Sequence, residues 1–144
     1  MANRYLISSS RELVRINPDR LVCVVADRNW STIYHVDDLV DINYRRSEDF
    51  QSCPGRGRAV LVQIGRFENS IRSFKKEDQH FIRIGNSLIV NIDYIAAVLP
   101  VEMQIELSDN ATFHVAFKAS EKALKAIKEY LEKKEHRING EEKA

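Results

Sequence analysis

Two short apolar segments joined by a Gly-Asn turn occupy residues 81–95, and they constrain the fold more than any other part of the chain. The stretch reads Phe-Ile-Arg-Ile-Gly-Asn-Ser-Leu-Ile-Val-Asn-Ile-Asp-Tyr-Ile. Segments rich in Ile and Val predict strands, and Gly-Asn suits a tight hairpin turn. Strand propensity does not require polar side chains here, yet four are present: Arg83, Asn86, Ser87 and Asn91. These groups therefore either satisfy the backbone and build the turn, or they contact a ligand.

Short strands recur along the rest of the chain, which predicts a mainly β fold. Residues 21–26 form a nearly continuous apolar run, which is typical of a central strand, and residues 30–36 alternate. Residues 101–117 alternate on both sides of a Ser-Asp-Asn turn, so they predict a hairpin with Val101 and Met103 on its apolar face. Further strands are predicted at residues 5–7, 13–16, 39–44 and 60–62.

Two helices are predicted among these strands. A connecting helix is indicated by one apolar stripe of four residues at helical spacing: Ile64, Phe67, Ile71 and Phe74. A final helix begins after Ser120, a residue that caps helices well. We divide the chain into a domain at residues 1–118, a C-terminal helix at 119–136 that packs on or extends it, and a disordered tail at 137–144.

Composition excludes several classes of protein. The 144 residues suffice for one domain, and no apolar run is long enough for a membrane span or a signal peptide, so we expect a cytoplasmic protein. Two cysteines make no disulfide framework, and the four histidines have no metal-ligand spacing. We therefore expect no metal and no cofactor. Cys53 and His80 have no orienting partner in the sequence, so we expect no enzyme.

Positive charge is concentrated in the middle of the chain. The net charge is +1, but residues 44–86 carry nine basic and five acidic groups, an excess of +4. Four of the basic groups, Arg45, Arg46, Arg56 and Arg58, lie in a polar loop at residues 45–58. This excess is where contacts to a phosphate backbone are expected. A solvated surface of mixed charge gives a similar count.

Three segments together resemble the LytTR family of DNA-binding domains. Residues 81–95 resemble the family's signature, and residues 21–30 resemble its first specificity loop. The hairpin 101–117 followed by Lys118 resembles its closing hairpin. The resemblance implies an elongated arrangement of small antiparallel sheets, with one connecting helix and a C-terminal helix. Such a fold presents loops to successive major grooves of double-stranded DNA. We expect a stand-alone bacterial member with the output function of a response regulator, since no receiver domain precedes these segments.

The resemblance also implies site residues. Asn29 or Trp30, Asn86 and Lys118 match positions that face bases, because amides and ammonium groups can recognise adenine and guanine edges. Ser87 matches a hydroxyl that contacts phosphate. The full set of DNA-binding candidates is Asn29, Trp30, Arg83, Asn86, Ser87 and Lys118, with Arg45, Arg46, Arg56 and Arg58 as further phosphate contacts.

Structural interpretations of the same residues stay open. Gly85-Asn86 is also a turn that needs no DNA, and Trp30 also fits a sheet surface. Asn91 is expected to satisfy buried backbone groups. Gly85 stands where the family usually has His. Besides transcription regulation, on tandem sites or with another regulator, the alternative is a protein-interaction module that has lost base readout and uses the C-terminal helix.

Overall fold

The computed structural model describes residues 5–41 and 57–134, so most of the 45–58 loop, with Arg45, Arg46 and Arg56, lies outside the described residues, as does the tail. Ten strands and three helices occupy the described ranges. The elements in chain order are β1 (Tyr5–Ser8), β2 (Leu13–Ile16), β3 (Leu21–Asp27), β4 (Trp30–His35), α1 (Val36–Leu39), β5 (Arg58–Val60), α2 (Ile64–Arg72), β6 (Phe81–Ile84), β7 (Leu88–Asn91), β8 (Ile95–Leu99), β9 (Gln104–Ser108), β10 (His114–Lys118) and α3 (Glu121–Lys134). Short 3₁₀ turns at Lys76–Asp78 and Ile92–Tyr94 precede β6 and β8.

The strands form three antiparallel sheets, as predicted for a mainly β chain. The central sheet has five strands in the order β5-β4-β3-β7-β6, and β3 is its middle strand. The strands β8, β9 and β10 form a second sheet, and β1 pairs with β2 in a two-stranded ribbon. The predicted central position of residues 21–26 is therefore confirmed.

Side chains that alternate along the strands of the central sheet enter two separate cores, one on each face. Both faces of the sheet are therefore covered. Ile33 packs in a core with the ribbon and α2, whereas Tyr34 packs in a core with the second sheet and α3. The stripe predicted for the connecting helix is buried in the first of these cores at Ile64, Phe67, Ile71 and Phe74. Leu124 and Ile127 of α3 are buried in the second core.

Two predictions about strands were wrong. Residue Leu39 was predicted to begin a strand, but Val36–Leu39 is a helical turn. The Asp38 carboxylate accepts a hydrogen bond from the His35 backbone N–H at 2.8 Å. This bond is part of a capping box between the two residues, which favours a helix there. The strand predicted at residues 60–62 lies two residues earlier, at Arg58–Val60, so Arg58 belongs to β5 and not to the loop.

The apolar face predicted for Val101 and Met103 was also wrong. Both side chains are exposed, Val101 at 80%, because residues 100–103 form a turn before β9. The Met103 backbone N–H donates to the Pro100 carbonyl at 3.1 Å, and Met103 has a φ of 59°. The strand β9 therefore begins only after this turn, at Gln104, and does not include Val101 and Met103. No helix within the described ranges combines the length and the apolar character that crossing a membrane requires.

Candidate nucleic-acid interface

The turn between β3 and β4 projects polar side chains from the central sheet. Asp27 pairs with Trp30 across the turn, and Arg28 adopts a φ of 61°, which closes it. Arg28 and Asn29 are exposed and Trp30 is half-buried. An open groove runs along these four residues. Most of the segment 21–30, which resembles the family's first specificity loop, is thus strand β3, and only residues 27–30 form a tight turn at its end.

The turn between β6 and β7 lies at the same end of the sheet. Ile84 pairs with Leu88, so the turn consists of residues 85–87, and Gly85 supplies the positive φ of 60°. The Ala26 backbone N–H donates to the Ser87 carbonyl at 2.8 Å, which joins this turn to the end of β3. Asn86 and Ser87 are exposed. Two of the segments chosen from the sequence are therefore adjacent in space.

Two further segments complete this end of the sheet. The Ser31 hydroxyl donates to the Val62 carbonyl at 2.6 Å, which holds the segment leading into α2. The tip of the ribbon, residues 9–12, is held by a hydrogen bond from the Leu61 N–H to the Glu12 carboxylate at 3.2 Å. We call the four segments 9–12, 27–30, 61–63 and 85–87 the loop end of the central sheet.

Two side-chain contacts at the loop end were not predicted from the sequence. The Arg11 guanidinium lies over the Trp30 ring, with its carbon 5.8 Å from the ring centroid, a distance suited to a cation–π contact. The Gln63 Nε2 donates to Asn29 Oδ1 at 2.8 Å. The partners are far apart in the chain: β5 pairs with β4 and brings Gln63 to Asn29, and the packing of the separate ribbon brings Arg11 to Trp30. No local sequence pattern could have indicated these contacts.

Arg83 is engaged within the protein. Its Nη1 lies 2.9 Å from Glu68 Oε1, and its Nε donates to the Gly85 carbonyl at 3.1 Å. The side chain is 26% exposed. This geometry ties the 85–87 turn to α2, so it supports a role for Arg83 in positioning the turn.

The charge at the loop end is mixed, with an excess of exposed guanidinium groups. Hydrogen bonds from the Ser9 hydroxyl and the Leu61 N–H lower the pKa of Glu12, which therefore stays ionised beside Arg11. Asp27 is a second acidic residue at the loop end, and it is exposed. The exposed basic side chains on and beside these segments are Arg11, Arg28, Arg58 and Arg66.

Lys118 lies on another sheet. It ends β10, where it pairs with Gln104 and is exposed, and the N–H of the next residue, Ala119, donates to the Met103 carbonyl at 3.1 Å. No hydrogen bond or ion pair joins Lys118 to the loop end among the residues that the structure describes. The structure therefore groups Asn29, Trp30, Asn86 and Ser87 at the loop end, and it places Lys118 on the second sheet.

The other end of the central sheet holds the residues that could bind a metal ion. The ligand atoms of Asp19, Asp78 and His80 lie within 4.8 Å of one another. Asp78 is buried and accepts a hydrogen bond from the Tyr5 hydroxyl at 2.7 Å. This group is remote from the loop end, because Asp19 precedes β3 and the loop end follows it.

Comparison with known proteins identifies the family. The family model of the LytTr DNA-binding domain matches residues 59–132, about half of the chain. The chain belongs to the LytTR family. A solved LytTr DNA-binding domain from Bacillus cereus, part of a protein described as a methyl-accepting/DNA response regulator, has the same fold with a TM-score of 0.52. The alignment covers 90% of this chain and 96% of that one at 15% identity. The comparison with curated proteins gave no match.

The family and the fold confirm two of the predictions. This chain contains a LytTR domain, a DNA-binding output domain, and its three antiparallel sheets with few helices are the LytTR fold. The LytTR family is one of DNA-binding domains and not of enzymes. The roles of individual residues in binding DNA, and the division of the chain at residues 118 and 136, stay predictions.

Proposed function

We propose that the loop end of this LytTR domain enters the major groove of double-stranded DNA, recognises a specific sequence, and thereby regulates transcription in the cytoplasm. The observation that carries the proposal is that the turns 27–30 and 85–87, which hold the base-facing candidates of two separate segments, lie side by side where Ala26 bonds to Ser87. Because the sheet holds these turns side by side, their exposed side chains form one surface at the end of the strands. The proposal needs no cofactor.

In this proposal the candidate residues at the loop end have different tasks. Asn29 and Asn86 recognise base edges, because an amide carries both a hydrogen-bond donor and an acceptor. Trp30 packs on sugar or on thymine methyl groups. The Ser87 hydroxyl contacts a phosphate and thereby sets the register of the domain on the duplex. Arg83 holds the turn, as its bonds to Glu68 and Gly85 suggest.

Basic residues outside the loop end are further candidates for contacts to DNA. Arg58, at the start of β5, is an exposed candidate for phosphate contact, and we keep Arg45, Arg46 and Arg56 as candidates from the sequence. Lys118 is exposed at the end of β10, so we propose that it contacts a separate part of the duplex. A domain that contacts separated parts of a duplex also suits tandem sites.

The test is a salt titration of DNA binding by fluorescence anisotropy. The probe is a duplex recovered from a pool of random sequences by repeated selection on the purified protein. With four to six phosphates neutralised, the logarithm of the binding constant should fall with the logarithm of salt concentration at a slope of about −4 to −5. Retention on heparin at moderate salt is the companion measurement. Binding that does not change with salt would contradict the proposal.

A second candidate function is a protein-interaction module that pairs with another regulator. The observation that favours it is the outer face of the ribbon, where Leu6 is 50% exposed and Leu13 is 62% exposed. The C-terminal helix is less suited to that role, because Leu124 and Ile127 are buried in the domain's own core. Replacing both ribbon leucines with Ser should abolish such pairing and leave DNA affinity unchanged. Failure to bind heparin or any duplex would favour this second function.

A further inference from the structure

The hydrogen bond between Gln63 and Asn29 joins two exposed amides across 34 positions of sequence, with 2.8 Å between Nε2 and Oδ1. Gln63 occupies the N-cap position of α2, yet its side chain makes no capping hydrogen bond. An N-cap side chain ordinarily accepts from the free N–H groups of the first helical turn. The Gln63 amide turns instead towards the β3–β4 turn, so its position is explained by Asn29 and not by the helix.

One hydrogen bond leaves the amide pair with a free oxygen and a free nitrogen. With Gln63 donating, the Gln63 Oε1 and the Asn29 Nδ2 make no hydrogen bond to any other described residue. If both amides are turned over, the Asn29 Oδ1 and the Gln63 Nε2 are the free atoms. Either way the pair presents one acceptor and one donor on two neighbouring side chains.

Adenine has the complementary arrangement. In the major groove its edge offers the N6 amino group as donor and N7 as acceptor, whereas guanine offers two acceptors, cytosine a donor, and thymine an acceptor and a methyl group. A single amide commonly makes both bonds to adenine. Two amides that are already joined to each other can supply one bond each.

The backbone on both sides of the pair is fixed. The Gln63 carbonyl accepts from the Phe67 N–H at 3.0 Å as the first bond of α2, and the neighbouring Val62 carbonyl accepts from the buried Ser31 hydroxyl. Asn29 lies in a tight turn between β3 and β4. Side chains held in place before binding lose less entropy when DNA arrives.

We propose that Gln63 is a specificity-determining residue and that Gln63 and Asn29 together recognise one adenine. This inference rests on the proposed binding of the loop end to the major groove. It adds a residue outside the segments that resemble the family's specificity loops, and it assigns a base to the β3–β4 turn. A residue that merely held Asn29 in place would strengthen binding without adding a base preference of its own.

The test is sequence selection from a duplex pool with random base pairs, performed on the full chain and on three variants: Gln63→Ala, Asn29→Ala and the double variant. The wild-type protein should select a motif with adenine at one position that both single variants lose. On the wild-type motif, each single variant should bind about tenfold more weakly, and the double variant little more weakly than either. Melting temperatures should stay within a few degrees, because the Gln63 side chain does not cap α2.

Asn69→Ala is the matched control, since Asn69 is an exposed amide on the same helix. It should leave both the motif and the affinity unchanged. If Gln63→Ala weakens binding but retains adenine at that position, Gln63 only positions Asn29 and the shared recognition is wrong. If it retains both motif and affinity, the inference is wrong while the proposed function stands. If the wild-type protein binds DNA but selects no motif, both fall.

Discussion

Two asparagines of the same hairpin, Asn91 and Asn86, have opposite surroundings. Asn91 ends β7, is 1% exposed, and makes three hydrogen bonds: its Nδ2 donates to the Pro18 and Leu21 carbonyls at 3.3 and 2.9 Å, and its Oδ1 accepts from the Asp93 N–H at 2.9 Å. Asn86 is exposed in the turn and has no hydrogen bond to any described residue. The two residues are only five positions apart, yet one is buried and the other is exposed.

The difference follows from the two ends of the central sheet. Asn91 lies at the end where β3 begins, and there it fixes the segment that enters the middle strand. Asn86 lies at the loop end, where the chain turns back and leaves side chains unpaired. A polar residue inside a family signature can therefore be buried and bonded to the backbone, or exposed and free to meet a ligand, and its place in the topology determines which.

Replacing Asn91 with Ala should give the largest effect on stability. The change leaves the Pro18 and Leu21 carbonyls buried without their partner, so we expect a loss of about 3 kcal/mol in unfolding free energy and a melting temperature lower by roughly 10 °C. DNA affinity measured well below the melting temperature should stay close to that of the wild type. Thermal unfolding by circular dichroism and anisotropy on the selected duplex provide the two measurements. An unchanged melting temperature would contradict the structural role.

Replacing Asn86 with Ala should give the opposite pattern. We expect a loss of about 1–3 kcal/mol in binding to the selected duplex, with unchanged stability and little change in affinity for unrelated DNA. Gly85 carries the positive φ of the turn, so Ala at position 86 introduces no backbone strain. Asn86→Gly serves as a second variant. Retained affinity of both variants for the selected duplex would show that Asn86 only builds the turn.

The sequence predicted these two roles because both depend on short-range patterns. Asn91 interrupts an apolar strand, which indicates a buried amide with backbone partners, and that prediction is confirmed. Alternation correctly placed Ile33 and Tyr34 on opposite faces. Alternation gave a wrong prediction at Val101 and Met103. Apolar and polar residues still alternate there in the sequence, but the backbone forms a turn at Pro100 and both side chains are exposed.

Long-range contacts account for what the sequence did not predict. Gln63 and Arg11 reach the loop end only because β5 pairs with β4 and because the ribbon tip bonds to Leu61. Arg83, a DNA-binding candidate from the sequence, meets Glu68 through the packing of α2 against the sheet. Register and packing of separate elements set these positions, and periodicity within one element carries no information about them.

The turn between β9 and β10 contains another polar side chain that bonds to the backbone, as Asn91 does. The Asp109 carboxylate accepts from the N–H groups of Ala111, Thr112 and Phe113 at 2.7–3.2 Å. Although partial burial raises the pKa of Asp109, these bonds and the Thr112 hydroxyl lower it to about 2. Asp109→Ala should therefore cost about 1–2 kcal/mol in unfolding free energy at neutral pH and leave DNA affinity unchanged.

The pH dependence of stability gives a second test of Asp109. The folded-state pKa lies below the unfolded value of about 3.9, so the stabilisation is complete above pH 4 and is lost as the pH falls towards 2. Asp109→Asn keeps an acceptor oxygen but removes the titration. The difference in unfolding free energy between wild type and this variant should thus shrink between pH 4 and pH 2, as urea titrations can measure. A difference that stays constant over that range would contradict the assignment.

The smallest expected effect is a change in DNA affinity. It is tested on two arginines of the ribbon, one at each end of the central sheet. Arg11 lies over Trp30 at the loop end, whereas Arg15 lines a groove with Asn17 and His35 at the other end. Arg11→Ala removes one charge near the proposed phosphates and one cation–π contact. It should weaken binding to all duplexes alike, by about 0.5–1 kcal/mol, and make the salt slope shallower by about 1. Arg15→Ala removes the same charge from the chain, so an equal loss in both variants would show that net charge, and not position at the loop end, determines the affinity.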